Sequence, residues 1–439
     1  MISPVRAVFD AEPPPRYPQV RNRTINLLFE EYGKRISLRA FGTAFPDDGG
    51  GGFQGWLTAK PKEITGAIQT LRDAWQDQVI ERYEATPGLE FPYAQQWDLS
   101  GSATHPTRWS DVGQRLAREG STLYKMLFEL GDEGLQEIGQ QLGEALNRDA
   151  QIITIHSEHL HVPWSMLYTP QADSPSLEAP DAQWVTSGFW GYSHWVEQCL
   201  GRANGHDSRI HPAEGRLRTG MNVDPRLDTE FARLPPYKNY PCVAPMIEFF
   251  QRHSDVEIRE TRPKMAASLG PGCQTEQIMY FGCHMKVSGT TQDADSALTP
   301  AQLVLSDDDP IRTADVLVWL GGRKFKPGPI VFANACQGGQ LATQFYGSIG
   351  ATLLDSGINC LIGPQIDLPP VFALEYATRF FEAFFERGVR VGDVTRDLAR
   401  HFADKCENPL GIAISLFRGI DTHIAPHESA PESAWTTSR

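Results

Sequence analysis

The chain has 439 residues, 41% of them hydrophobic and 21% charged, with a formal net charge of −14. That is enough apolar material for a substantial core and for more than one domain. The acidic balance excludes nucleic acid as the main partner, because phosphate binding needs a basic face. 

Residues 1–21 read as an extended, Pro-rich arm. Segments 24–30 and 35–41 read as strands, followed by the flexible turn Asp47-Asp48-Gly49-Gly50-Gly51-Gly52, which lacks the Lys and Ser/Thr of a phosphate-cradling loop. Ile64, Ile68, Leu71 and Trp75 recur at helical spacing. A second helix is predicted over 110–130, and a third through Leu135, Ile138, Leu142 and Leu146. Residues 151–156 alternate as a strand, whereas 170–270, rich in Pro, Gly, Trp and His, gives mixed signals and reads as an insertion. Two apolar runs follow: Ile278, Met279, Tyr280, Phe281 and then Ile330, Val331, Phe332, Ala333. Each has the length and composition of a buried parallel strand. A helical stretch then leads to a strand at 358–362, and Gly388 stops a Phe-rich amphipathic helix at 371–387. A helix at 391–404 and a strand at 412–417 complete the order, and 425–439 reads as a disordered tail.

No apolar stretch reaches the roughly 18 residues of a membrane span, and residues 1–17 hold no signal-peptide core, so a cytoplasmic protein is expected. Seven scattered cysteines without a Cys-x-x-Cys pair suggest free thiols in a reducing compartment.

Both apolar runs close on reactive side chains. The first leads into Phe281-Gly282-Cys283-His284, the second into Asn334-Ala335-Cys336-Gln337-Gly338-Gly339. In an open α/β sheet the crevice at the carboxyl ends of the strands is where chemistry sits. A free thiol titrates near ~8.5, so little of it is thiolate at neutral pH. An imidazole within reach can take that proton and later return it to a leaving amine. Gly338 and Gly339 suit a sharp turn that brings backbone N–H groups toward an oxyanion. Cys283, beside His284, reads as structural.

Asn334 to Gly338, with a histidine about 50 residues upstream, resembles the caspase signature, with Asn in place of its leading Gln. The wider pattern is similar to that of the CHAT domains, the separase-like branch of the caspase-fold (clan CD) cysteine peptidases. His161-Val162-Pro163-Trp164-Ser165-Met166-Leu167-Tyr168 resembles its Pro-Trp-x-Leu-Leu-Tyr element, and Ser296-Ala297-Leu298-Thr299-Pro300 its Leu-Thr segment. Gly363-Pro364-Gln365-Ile366-Asp367 resembles the strand end flanking its substrate pocket, and residues 409–421 its closing strand.

This resemblance implies an α/β caspase-like fold, a mostly parallel sheet flanked by helices. It implies a peptidase domain over 145–424 with 170–270 inserted, and an N-terminal α+β portion over 1–144. It implies a cysteine endopeptidase in which Cys336 attacks and His284 is acid and base, with backbone N–H groups of Met285 and Gln337 holding the oxyanion. Members of the branch usually carry Gly where Met285 stands. Asp367 and Asn334 would line the substrate pocket, with no metal or cofactor. The partners would be a protein substrate cut at limited sites and a protein activator, in a setting such as bacterial antiphage defence with a gasdermin-like effector.

Blander readings stand beside these. Asp367 is either a pocket acid or a solvated loop aspartate before Pro369-Pro370. His156, His159 and His161 crowd one segment and invite a metal, yet read better as a polar hairpin surface. Residues 288–295 read as a lid or a plain loop. The competing function is a catalytically silent caspase-like scaffold; a third is a metal hydrolase on the three histidines.

Overall fold

The computed structural model describes residues 20–46, 52–101, 108–170, 177, 183–200, 208–212, 215–230, 240–272, 275–287, 301–325, 328–334 and 341–425. The expected lid at 288–295, the tail beyond 425, and the segments holding Ser296 to Pro300 and Asp47 to Gly51 lie outside these residues.

Fifteen strands form among the described residues: β1 (Ile25–Tyr32), β2 (Arg35–Phe41), β3 (Phe53–Trp56), β4 (Ile152–His156), β5 (Trp195–Cys199), β6 (Arg209–Ile210), β7 (Arg218–Val223), β8 (Asp255–Arg259), β9 (Ile278–Gly282), β10 (His284–Val287), β11 (Ala301–Val304), β12 (Ile330–Ala333), β13 (Cys360–Pro364), β14 (Ile414–Phe417) and β15 (His423–Ile424). Eleven of them make one sheet in the order β3-β2-β1-β4-β5-β14-β13-β12-β9-β7-β8. Its two halves run in opposite senses. β1, β4, β5 and β14 are mutually parallel, as are β13, β12, β9, β7 and β8, and the halves meet at the antiparallel pair β13–β14. The protein is therefore mixed α/β, with a large, mostly parallel sheet flanked by helices.

Why the central strands read as unbroken apolar runs is visible in the packing. Along β9, Ile278 and Tyr280 join one buried cluster while Met279 and Phe281 join another on the opposite face. A strand covered on both sides has no polar face to show. The helices Val243–His253, Pro370–Phe384 and Val391–Lys405 contribute to the first cluster; Arg262–Ser268 and Thr313–Leu320 contribute to the second. The helix Pro370–Phe384 ends before Gly388, whose φ of 82° is the left-handed conformation that a helix stop favours.

Residues 170–270, expected as an insertion, supply β5, β7 and β8 of the sheet. The amino-terminal strands β1 to β3 continue the same sheet past β4. That junction is closed by ions: Arg23 binds Glu197 through Nε at 2.9 Å and also Asp421, while Arg21 binds Asp393 at 2.6 Å and Asp421 at 2.9 Å. Burial alone would raise the Asp421 carboxyl, but Arg23 and Arg21 outweigh it and hold the group below the usual carboxylate range. Among the described residues no helix is long and apolar enough to cross a membrane.

Candidate active site

β9 and β12 are neighbours and parallel, with Ile330 opposite Ile278 and Ala333 opposite Phe281. The ladder extends one step beyond β12, where the Asn334 N–H donates to the Phe281 carbonyl at 2.8 Å. The two strand ends singled out in the sequence thus lie side by side at one rim of the sheet. Cys336 and Gln337 fall outside the described residues.

Past Gly282 and Cys283 the chain enters β10, which forms a hairpin pair with β11; His284 faces Val304 and Met285 faces Leu303. His284 is 6% exposed. Its Nε2 lies 2.9 Å from Oε2 of Glu230, and its Nδ1 is buried without a hydrogen-bond partner among the described residues. A carboxylate only accepts, so Nε2 carries a hydrogen, and in the neutral ring Nδ1 holds the lone pair. Met285 lies in β10 with its side chain in the second core cluster and no positive φ, so its backbone conformation is open to any residue.

Glu230 was not legible as a site residue. It ends the turn Leu227–Glu230, which grows from the carboxyl end of β7, the strand on the other side of β9. That segment is pinned twice. The Asp224 N–H donates to the Gly282 carbonyl at 2.8 Å, and the buried Asp224 side chain accepts from Arg226 and from the Ser306 hydroxyl. Asp228 accepts from the N–H groups of Cys242, Val243 and Ala244, satisfying the free donors at the start of the helix Val243–His253. Arg226 extends the anchor to Asp308 at 2.9 Å. Burial pushes the Asp224 carboxyl up, and its bonds to Arg226 and Ser306 more than reverse this, leaving it below its ordinary value.

The remaining predicted residues are distributed as follows. Asn334 is 8% exposed, and its Nδ2 donates to the Tyr280 hydroxyl at 2.9 Å and to the Ala373 carbonyl at 3.4 Å. Asp367 is half-buried on the turn between β13 and the helix Pro370–Phe384. Beside it, Gln365 accepts from the fully buried Arg72 at 2.7 Å, and burial lowers the Arg72 guanidinium to about 10. Gln365 thereby ties the turn to the amino-terminal helix Pro61–Trp75.

Five cysteines are described, Cys199, Cys242, Cys283, Cys360 and Cys406, and all are buried free thiols. Burial pushes Cys199 up to about 12 and Cys406 up to about 11, and raises Cys283 and Cys360 as well. None of these four suits nucleophilic attack at neutral pH.

His161 corrects the reading of a polar hairpin surface. It is buried, and desolvation, with Arg72 and His159 adding to it, lowers it to about 4. Its neighbours explain the burial: it follows Leu160 and precedes Val162, both in the core. Among the described residues no group of three His, Cys, Asp or Glu side chains gathers as a metal site.

No family model matches the chain. It is similar to a probable protease of Vitiosangium sp. (strain GDMCC 1.1324), 24% identical over 260 residues, which is 59% of this chain and 33% of that protein. Two crystal structures of the Saccharomyces cerevisiae separase–securin complex, at 3.0 and 2.6 Å resolution, align with TM-scores of 0.45 and 0.44 at 8% identity, over 90% of this chain and 30% of that one. The chain spans about a third of the length of the relative and of these neighbours.

Proposed function

We propose that the protein is a cysteine endopeptidase with Cys336 as nucleophile and His284 as acid and base. The observation that carries this is the Asn334–Phe281 backbone bond, which fixes the chain two residues before Cys336 beside the strand that leads into His284. The open Nδ1 of His284 and the raised thiols of four other cysteines support the same pairing. So does the likeness to a probable protease.

In this reading the thiol proton passes from Sγ to Nδ1 of His284, and Sγ bonds to the scissile carbonyl carbon. Backbone N–H groups of Gln337 and Met285 hold the oxyanion. The C–N bond breaks as His284 returns the proton to the leaving amine, and water then hydrolyses the thioester with His284 as base. Asp367 and Asn334 are the proposed substrate-binding residues. Residues 145–424 form the proposed peptidase unit, with 1–144 built against it. The substrate is a protein cut at limited sites, and a partner protein is the proposed activator. The CHAT resemblance adds a first protein to try, a gasdermin-like pore former in bacterial antiphage defence.

The test is a fluorogenic peptide panel varied at P1, cut by the wild-type protein beside Cys336→Ala. Cleavage after Arg or Lys that needs Cys336 supports the pairing and Asp367 as the pocket acid. Cleavage after another residue keeps the pairing and removes Asp367. Cysteine-independent cleavage, or a cellular effect retained by Cys336→Ala, defeats the proposal; the latter outcome favours a scaffold.

A further inference from the structure

We infer that Glu230 is a positioning residue for His284 and that Nδ1 is the nitrogen that takes the thiol proton; this rests on the Cys336–His284 reading above. The argument is topological before it is chemical. Three neighbouring parallel strands, β7, β9 and β12, lead at the same rim into Glu230, into His284 and into Asn334, two residues before Cys336 in the sequence. The imidazole therefore arises between the strand that brings the acid and the strand that brings the thiol.

A neutral imidazole has one donor and one acceptor nitrogen, and a hydrogen bond at one decides the role of the other. Glu230, 2.9 Å from Nε2, takes the donor. The lone pair is left on Nδ1, which is buried and has no partner among the described residues. A buried polar atom left open in this way is costly unless something occupies it during function. A thiol proton is a fitting occupant. Once Nδ1 has accepted it, the ring is an imidazolium with a carboxylate already at hydrogen-bond distance, an arrangement that stabilises the charge without reorganisation.

Glu230 is itself partly exposed, with 42% of its side chain accessible, so its place must be fixed by its backbone. The bonds of Asp224 and Asp228, both just before it in the chain, do this, together with its own N–H to the Arg226 carbonyl at 3.0 Å. Among the described residues Asp308 also acts electrostatically on His284, and Asp308 is itself paired with Arg226, which holds Asp224. Only Glu230 is within ion-pair distance of the ring among the described residues.

The test uses the full chain and needs no substrate. Iodoacetamide forms an S–C bond with the Cys336 thiolate and releases iodide, and the rate is read by mass spectrometry of the peptide holding Cys336. Wild type is compared at pH 7 with His284→Ala, Glu230→Gln, Glu230→Ala and Glu230→Asp. His284→Ala should slow alkylation. Glu230→Gln and Glu230→Ala should slow it about tenfold or more, and Glu230→Asp should recover most of the loss. The melting temperature reports whether each variant is folded; a single cooperative transition is expected for all of them, lowered by a few degrees for Glu230→Ala, which leaves the buried Nε2 without its partner. If His284→Ala slows the reaction and the Glu230 variants do not, the role of Glu230 is overturned while the pairing stands. If His284→Ala changes nothing, the pairing itself fails. On a peptide substrate, Glu230→Gln should lower kcat and leave KM within about twofold, as expected for a group acting through the histidine.

Discussion

The side-chain amide of Asn334 donates to the hydroxyl of Tyr280, 2.9 Å away, so the residue that follows β12 is tied to the adjacent strand β9 at the sheet end that leads to Cys336. Both are buried, and the second amide contact, to the Ala373 carbonyl, ties the same point to the helix Pro370–Phe384. Replacing Asn334 with Leu takes from the Tyr280 hydroxyl and from the Ala373 carbonyl the donor that Nδ2 supplies to each. A loss of roughly 1–3 kcal/mol in stability is expected, read by urea unfolding. The same variant separates two roles for Asn334. A changed P1 preference with wild-type stability places its side chain in the substrate pocket; lowered stability with an unchanged preference makes it a structural tie, the outcome this bonding favours.

Thiol chemistry should single out few positions. Burial raises Cys199, Cys283, Cys360 and Cys406. Under native conditions at pH 7, brief iodoacetamide treatment should leave these four unmodified while Cys336 reacts. Cys283 is the sharpest case, because it precedes the proposed acid–base residue in the chain. Cys283→Ser should leave the alkylation rate at Cys336 near that of the wild type. Preferential labelling of Cys283 in the folded protein would overturn the assignment of the nucleophile.

The parts of the fold legible in the sequence are those whose burial is apolar throughout or on one periodic face. β9 and β12 read as strands because both faces are covered. The helix Pro61–Trp75 showed itself through Ile64, Ile68, Leu71 and Trp75, all in the core. β5 and β7 escaped because they bury polar residues. Glu197 sits inside β5, yet its carboxylate accepts from Arg23, from Thr154 and from the Ile420 N–H, partners far away in the chain. Asn222 in β7 donates to the Tyr280 carbonyl. Such pairs break the apolar pattern, and no local signal announces the partner. Glu230 was hidden for the same reason: it meets His284 only because β7 lies next to β9.

The strand ends at the site rest on an aromatic cluster. Phe381 packs against Phe250, with ring centroids 4.7 Å apart, and against Phe332 of β12 at 5.3 Å. It is fully buried. Phe381→Ala removes the ring and leaves a cavity under β9 and β12, so a loss of about 3–5 kcal/mol is expected in chemical denaturation. Exposed Leu317 on the helix Thr313–Leu320 is the matched control. Leu317→Ala should change stability by no more than about 0.5 kcal/mol. Equal losses at the two positions would contradict this account of the core.

Acid should loosen the junction between the amino-terminal strands and the rest of the sheet. Asp421 is held below its ordinary value because Arg23 and Arg21 outweigh the effect of burial. A carboxyl depressed in the folded state contributes stability that is fully present above its unfolded value, near ~3.9, and that is lost as the pH falls through the folded value. The Asp421→Asn protein lacks that contribution at every pH. Its deficit relative to the wild type should therefore be full at pH 6–7, on the order of 2 kcal/mol for hydrogen bonds to charged groups, and should shrink below about pH 4. Urea midpoints for the two proteins at pH 7, 5 and 3.5 measure the deficit directly. A deficit that stays constant down to pH 3.5 would show that the ionised carboxylate is not what Arg21 and Arg23 hold.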